Sequence, residues 1–265
     1  DTLRSRGLGD VYKRQMLAAL FITPFFIVKF KKYSFYDHGF AFVLVGILNT
    51  ALPFTLFAFA SVELGAGSLS ILQATVPILT ALLLFSIYKG EFSVFKLIGV
   101  VIGFVGLFVL VGPSGGFDPF SSILCIIASL SYAIAGIYLA KTPKHISNSF
   151  IGMGSIIVGA IIMLPFLLNS SNTLQNLTRD SWTYLAILGV INTSLAYVIF
   201  IKLIKKIGPI NASFVTYLVP VSSISLGILV LDEVFTIPMF AGSMLIFMGV
   251  FLSLIHISEP TRPQC

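Results

Sequence analysis

GILNTALPFTLF (Gly46–Phe57) and GVINTSLAYVIF (Gly189–Phe200) are two copies of one pattern, 143 residues apart. Each copy carries an Asn-Thr pair inside an apolar run. At the same offset the match continues without a gap over 46–108 and 189–251. Because polar pairs at equivalent places in apolar runs are hard to obtain by chance, the pattern indicates an internal repeat, and the organisation of the chain follows from it.

The composition is that of a membrane protein. Hydrophobic residues make up 57% of the 265 residues and charged residues 10%, and the mean hydropathy is +1.03. A soluble domain carries about 25% charged residues, so the class of water-soluble enzymes is disfavoured. Disordered chains are poor in apolar residues, which excludes that class too. The two cysteines, Cys125 and Cys265, build no disulfide framework.

Long apolar runs follow one another along the chain with short gaps between them. A helix that crosses a bilayer needs about 20 mostly apolar residues. We predict nine such helices, the first of them short: 16–30, 39–60, 67–88, 94–112, 119–140, 149–168, 182–201, 209–231 and 237–255. A membrane β-barrel would need strands that alternate apolar and polar residues. These runs are apolar on every face, so the expected fold is an all-α, polytopic membrane helix bundle.

Positive charge is distributed very unequally between the two sets of alternate loops. One set carries Lys29, Lys31, Lys32, Lys89, Lys96, Lys141, Lys144, Lys202, Lys205 and Lys206, and the other carries only Arg179. Short loops rich in Lys and Arg stay in the cytoplasm. The Lys-bearing loops are therefore predicted to be cytoplasmic. Topology accounts for the net charge of +6, and no nucleic-acid partner is expected.

The two copies of the repeat are predicted to run in opposite directions, because their matched helices are five spans apart. Inverted repeats are a hallmark of secondary transporters, in which the substrate site lies near the midplane of the membrane between the repeats. Some channels also contain inverted repeats, and a channel is the alternative at this point.

Both ends of the chain differ in character from the rest. Residues 1–15 are polar and hold four of the sixteen Lys and Arg. Residues 253–265 read SLIHISEPTRPQC. Both resemble translated adapter sequence, and the resemblance is carried by DVYKRQ in the first and SLIHISEPTRP in the second. We expect 1–15 and 253–265 to be non-native tails, although two genuine polar tails are the alternative.

The stretch Asn49–Glu91 resembles the third and fourth helices of the EamA-type branch of the drug/metabolite transporter superfamily. It has an apolar helix, a turn of small residues, a central Pro77 and then Glu91, and the second copy repeats this pattern with Pro220 and Glu233. The resemblance implies an inverted five-plus-five repeat of ten helices, of which about nine are present here. It also implies the export of amino acids or related metabolites.

On this interpretation the chain consists of two repeats between the two tails. The first repeat is expected at 16–112 and lacks the family's first helix. The second is expected at 119–252. The protein is then a multi-pass protein of the bacterial cytoplasmic (inner) membrane.

Polar residues inside the spans are the candidates for the substrate site, because such residues are costly in lipid and face the bundle interior or a water-filled cavity. An Asn amide offers two donors and an acceptor, which suit a carboxylate or amide group. Hydrogen bonding between helices is the alternative role for the same residues. The candidates are Asn49, Thr50, Gln73, Thr75, Tyr132, Asn192, Thr193, Tyr197, Thr216 and Tyr217.

Two prolines at the repeat offset, Pro77 and Pro220, are candidate hinges. A proline inside a helix removes a hydrogen bond and frees the carbonyl four residues earlier, which here belongs to Gln73 or Thr216. Broken helices line the site in many carriers. A simple packing kink is the alternative interpretation.

The sequence thus predicts a secondary-active carrier that exports a small polar metabolite, such as an amino acid, by alternating access. The partners expected are the small-molecule substrate and the lipid bilayer, with monomer and homodimer both open. No catalytic residue, metal ligand or cofactor is assigned, since the chain has no Walker-type, HExxH or Cys-cluster motif. The alternatives are a membrane-embedded lipid-modifying enzyme and a non-catalytic membrane interaction protein.

Overall fold

The computed structural model describes residues 2–30, 35–87, 94–111, 118–142, 147–169, 179–219, 221–222 and 236–255, and the regular structure within them is helical. The regular structure consists of α-helices and two π-helical segments. In chain order they are α1 (Thr2–Phe30), α2 (Phe35–Gly46), π1 (Ile47–Ala51), α3 (Leu52–Ala60), α4 (Ala66–Gln73), α5 (Val76–Ile87), α6 (Val94–Val111), α7 (Pro119–Lys141), α8 (Asn148–Asn169), α9 (Arg179–Ile187), π2 (Leu188–Leu195), α10 (Ala196–Ile207), α11 (Pro209–Ser213) and α12 (Ile237–Ile255).

The described helices are long and apolar enough for a multi-pass membrane protein, which confirms the predicted fold class. Six apolar stretches within the described ranges have the length of a membrane span: Val11–Phe30, His38–Ala60, Ser68–Ile87, Pro119–Lys141, Asn148–Leu168 and Ser181–Ile207. Three shorter apolar helices, Leu97–Leu110, Pro209–Val219 and Ile237–Leu252, coincide with the other three predicted spans. Residues 88, 112, 220 and 223–231 of the predicted spans lie outside the described residues.

Local sequence explains where α7 begins. Asp118 precedes Pro119, and its side chain accepts a hydrogen bond from the Ser121 amide at 2.8 Å. An aspartate at this position satisfies one of the free amides of the first turn, and a proline costs nothing there. The same hydrogen bond holds the pKa of the partly exposed Asp118 carboxyl below its ordinary value.

Helix α8 lies at the centre of one half of the bundle, because glycines on it let neighbouring helices approach closely. A Cβ placed on Gly152 would lie 2.7 Å from the Ile201 side chain of α10, and one on Gly159 would lie 2.7 Å from Thr50 of π1. Phe150, at the start of α8, is fully buried and stacks on Phe26 of α1 at 4.8 Å between ring centroids. This half of the core therefore joins α1, α2, α7, α8, α10 and α11.

Helices α6 and α12 are repeat mates, and they pack against each other through their glycines. A Cβ on Gly249 would lie 2.5 Å from the Gly99 carbonyl oxygen, and one on Gly106 would lie 2.8 Å from the Gly242 carbonyl oxygen. The 143-residue offset relates Gly99 to Gly242 and Gly106 to Gly249, so the two contacts exchange with each other when the repeats are exchanged. Such self-complementary contacts are those of a two-fold axis, and they make α6 and α12 antiparallel, as an inverted repeat requires.

The first predicted tail is continuous with α1 in this structure. Gln15 is fully buried, and its side-chain amide donates to the Ile156 carbonyl at 2.9 Å. Of the second predicted tail, residues 253–255 end α12, and 256–265 lie outside the described residues. That both tails are non-native remains a proposal.

Candidate functional site

A cavity of about 260 Å³ lies between the two repeats. A cavity of this volume has room for a small metabolite. The described residues that line it are Asn49, Thr50, Phe54, Gln73, Val76, Thr80, Tyr132, Gly136, Ile156, Asn192, Thr193, Ala196, Tyr197, Phe200, Ile204, Pro209, Ser213, Val215 and Thr216. None of these is an acid, a lysine, an arginine or a histidine.

Four pairs of repeat-related residues meet at this cavity. The pairs are Asn49 and Asn192, Thr50 and Thr193, Phe54 and Tyr197, and Gln73 and Thr216. Eight of the ten predicted substrate-binding residues line it: Asn49, Thr50, Gln73, Tyr132, Asn192, Thr193, Tyr197 and Thr216. The structure therefore brings together, from both repeats, residues that were singled out as polar groups in apolar runs.

Both Asn-Thr pairs lie on π-helical segments, Asn49-Thr50 on π1 and Asn192-Thr193 on π2. The Thr193 hydroxyl donates to the carbonyl five residues earlier, that of Leu188, at 3.3 Å. π-Helical segments inside α-helices are rare and occur frequently at functional sites. Each repeat therefore brings a π-helical segment to the cavity wall, at equivalent positions.

The members of the asparagine pair lie in different environments. Asn49 is 5% exposed, and its side chain interacts with the Tyr197 hydroxyl. Asn192 is an exposed residue of the cavity lining, and the described part of the chain offers its amide no hydrogen-bond partner. An amide that opens into a cavity without a partner is available to a ligand.

Tyr197, on α10, lines the cavity and is hydrogen bonded to α8. Its hydroxyl is hydrogen bonded to the Ser155 hydroxyl of α8, with 3.3 Å between the oxygens. It also interacts with the side chains of Asn49 and Thr50 on π1. The Ser155 hydroxyl is fully buried and donates to the Gly152 carbonyl at 2.9 Å. Ser155 was not predicted as a site residue, since it is one of several small residues in an apolar helix.

The helix around Pro77 is broken, as the proline predicts. Helix α4 ends at Gln73, and α5 begins at Val76 with Pro77 in its first turn. Gln73, next to the break, lines the cavity, whereas Pro77 is buried and is not part of the lining. The second candidate hinge, Pro220, lies outside the described residues.

Two predicted substrate-binding residues, Thr75 and Tyr217, are not part of the cavity lining. The Thr75 hydroxyl donates to the Leu72 carbonyl at 2.6 Å, within its own helix turn. Tyr217 is fully buried against the face of Gly103, and its hydroxyl donates to the Val100 carbonyl of α6 at 3.0 Å. In this structure both hydroxyls therefore bond to backbone carbonyls away from the cavity.

One cation lies near the aromatic wall. The Arg14 guanidinium is 5.3 Å from the centre of the Phe54 ring. Because Arg14 belongs to the proposed non-native tail, we assign it no part in the site.

The described residues contain no group of three or more His, Cys, Asp or Glu side chains that could hold a metal ion. Cys125, on α7, is a free and buried thiol. Glu91 and Glu233, the glutamates of the two copies of the EamA-like pattern, lie outside the described residues.

Known proteins resemble the chain over most of its length. The sequence profile of the EamA-like transporter family matches residues 12–112 and 119–255. The uncharacterized transporter YoaV of Bacillus subtilis is 26% identical over 244 residues, which cover 87% of this chain and 82% of that protein. An uncharacterized transporter of Archaeoglobus fulgidus is 23% identical over 211 residues, covering 78% of this chain and 75% of the relative.

The fold is also found among solved structures. One protein crystal structure, 13% identical in sequence, superimposes with a TM-score of 0.72 over 96% of this chain and 91% of the other. At that level of identity the likeness is one of fold.

Proposed function

The chain belongs to the EamA-like transporter family, and we propose that it exports a small polar metabolite, such as an amino acid or a related compound, by alternating access. That it is a multi-pass membrane transporter follows from the family and from its apolar helices. The substrate class, the direction and the mechanism are the proposal.

The observation that carries the proposal is the cavity lined by four repeat-related pairs. In carriers with inverted repeats, the substrate site lies at the interface of the repeats, and broken helices contribute to it. The cavity here has amide and hydroxyl groups from both repeats, next to the aromatic rings of Phe54, Tyr132 and Phe200. Such a lining offers hydrogen bonds to a polar group and an apolar surface to the rest of a small molecule.

Among the described residues, the two repeats contribute unequally to the cavity lining, which favours alternating access over a channel. Beyond the four pairs, the second repeat contributes Phe200, Ile204 and Ser213, whereas their repeat mates Phe57, Ser61 and Ser70 are not in the lining. Two repeats that are similar in sequence but contribute unequally to the cavity lining are what a carrier opened toward one side requires.

We propose that this open end faces the cytoplasm, in the bacterial cytoplasmic membrane. Ile204 lies next to Lys205 and Lys206, in the set of loops that is rich in lysine. A cytoplasm-facing cavity is the state in which an exporter loads its substrate.

The proposal is tested by filling the cavity. Gly136 lines it, and a Cβ at this position would meet only Pro209, at 3.8 Å. Gly136→Leu is therefore expected to fold, to occupy the space of the substrate and to reduce counterflow of labelled amino acids in proteoliposomes at least ten-fold. Gly65→Leu is the matched control, since Gly65 is exposed and has nothing within 4 Å of its Cβ position.

Two results would contradict the proposal. If no compound in a panel of amino acids and related metabolites shows counterflow with the unmodified chain, the substrate class is wrong. If transport is seen and Gly136→Leu leaves it intact, the cavity is not the substrate site.

A further inference from the structure

We propose that Ser129 is a positioning residue for the substrate site: its hydroxyl holds the helix break before Pro77, and with it Gln73, in place at the cavity. This inference deepens the function proposed above and rests on it. The Ser129 hydroxyl, on α7, donates to the Leu72 carbonyl at the end of α4, with 3.1 Å between the oxygens. Ser129 is fully buried, so water does not compete for this hydrogen bond.

The Leu72 carbonyl is the acceptor on which the hydrogen bonds of the break converge. Helix α4 ends at Gln73, and α5 begins at Val76. Between them, the Leu72 carbonyl accepts from the Thr75 amide at 3.2 Å and from the Thr75 hydroxyl at 2.6 Å. Ser129 adds a donor from a different helix. The break lies inside an apolar stretch of membrane-spanning length, where backbone groups need protein partners because the surrounding lipid offers none.

The hydrogen bond acts on Gln73 through a shared peptide plane. The Leu72 carbonyl and the Gln73 amide belong to one planar unit, so a donor that fixes the carbonyl also fixes where residue 73 begins. The Gln73 side chain lines the cavity, whereas Leu72 is buried and belongs to the same core cluster as Cys125 of α7. Ser129 therefore controls the direction of a cavity-lining side chain although it is not part of the lining itself.

The same face of α7 also forms part of the cavity wall. Tyr132 and Gly136, three and seven residues after Ser129, line the cavity. Residues at this spacing lie on one face of a helix. The Ser129 hydrogen bond thus joins the break to the face of α7 that carries Tyr132, and it sets the position of Gln73 relative to that face.

The first test measures the placement of residue 73 and does not require transport. Gln73→Cys is made in a chain that carries Cys265→Ala, and its rate of modification by a small, water-soluble methanethiosulfonate reagent is measured in open membrane fragments. Asn192→Cys is the reference position, because Asn192 is an exposed residue of the same cavity lining. Cys125 is kept, since it is fully buried in the cluster that contains Leu72. The chain without a new cysteine measures its background.

Ser129→Ala removes only the hydroxyl and is expected to slow modification at position 73 about three-fold, because residue 73 is no longer held toward the cavity. That factor corresponds to one hydrogen bond between membrane helices. Position 192 should keep its rate. Ser131→Ala is the matched control and should change neither rate, because Ser131 is also buried on α7 and its hydroxyl donates to the Ala128 carbonyl of that helix.

The second test measures transport kinetics. Ser129→Ala is expected to raise the KM for a transported compound about three-fold and to leave the maximal rate unchanged. In a chain that carries Gln73→Ala, Ser129→Ala should have no further effect on KM, because the residue through which it acts is gone. General loss of stability would instead lower the maximal rate by the same factor in both backgrounds.

The positioning role is refuted if Ser129→Ala leaves the ratio of the two modification rates unchanged. It is also refuted if Ser129→Ala has no effect on KM in a transporting chain, or raises KM equally with and without Gln73. Failure of the proposed function gives a different result. A changed ratio of modification rates without counterflow of any compound would support the positioning of Gln73 and contradict the proposed substrate class.

Discussion

At the scale of single residues, identical side chains have different tasks because they meet different neighbours. Asn49 and Asn192 occupy equivalent places in the two repeats, yet the amide of Asn49 is buried beside Tyr197 and that of Asn192 opens into the cavity. Removing the partner of a buried amide costs free energy of folding. An amide that opens into a water-filled cavity instead exchanges a hydrogen bond to water for one to the substrate. We therefore propose Asn192 as the member of the pair that binds the substrate.

Asn192→Ala is expected to raise the KM for transport about three- to ten-fold, which is the effect of one lost hydrogen bond to the substrate. The thermal unfolding midpoint in detergent should stay the same, since the Asn192 amide has no partner among the described residues. Asn211→Ala is the matched control, because Asn211 donates to the Ile207 carbonyl and does not line the cavity. An unchanged KM for Asn192→Ala would remove Asn192 from the site.

At the scale of elements, the irregular parts of the helices position the site. Two helices change to π-helical geometry at the Asn-Thr pairs, and a third is interrupted before Pro77.

The turns between elements are less symmetric than the repeat suggests. Gly65 and Gly208 are repeat mates, but Gly65 has an extended backbone with φ −67°, whereas Gly208 has φ +84° and ψ 164°.

Gly208→Ala is therefore expected to destabilise the protein by about 1–3 kcal/mol, because its backbone conformation is one that only glycine adopts readily. Gly65→Ala is the matched control and should be neutral, since its backbone conformation suits any residue and its Cβ would meet nothing within 4 Å. Thermal unfolding of the two purified variants measures the difference. Equal midpoints would show that the α10–α11 turn relaxes without cost.

At the scale of the whole molecule, the pseudo-two-fold axis and the charge distribution together predict the orientation of the chain in the membrane. The axis passes between α6 and α12, whose glycine contacts exchange with each other under the repeat. Because α6 and α12 are antiparallel, the turn after α3 and the end of α10 lie on opposite sides of the membrane. From the lysines at the end of α10 we propose that this end faces the cytoplasm.

Membrane-impermeant labelling of engineered cysteines tests this orientation. Glu63 is exposed in the turn after α3, and Lys202 is exposed near the end of α10. We expect Glu63→Cys to react in intact cells and Lys202→Cys to react only after the cells are opened. Both variants are made with Cys125→Ala and Cys265→Ala, and that background without a new cysteine is the control. The reverse pattern would overturn the predicted topology.

The amino-acid sequence by itself determined the helical membrane fold, the inverted repeat and most of the polar groups at the cavity. These properties are local or periodic: apolar runs specify spans, and a fixed offset pairs Asn49 with Asn192 and Thr50 with Thr193. Which of these groups face the cavity was decided only by tertiary packing. Ser155 meets Tyr197 across 42 residues of sequence, and Tyr217 is bonded to Val100 across 117. Such contacts depend on which helices pack together and on how closely their glycines let them approach, and no local pattern in the sequence contains that information.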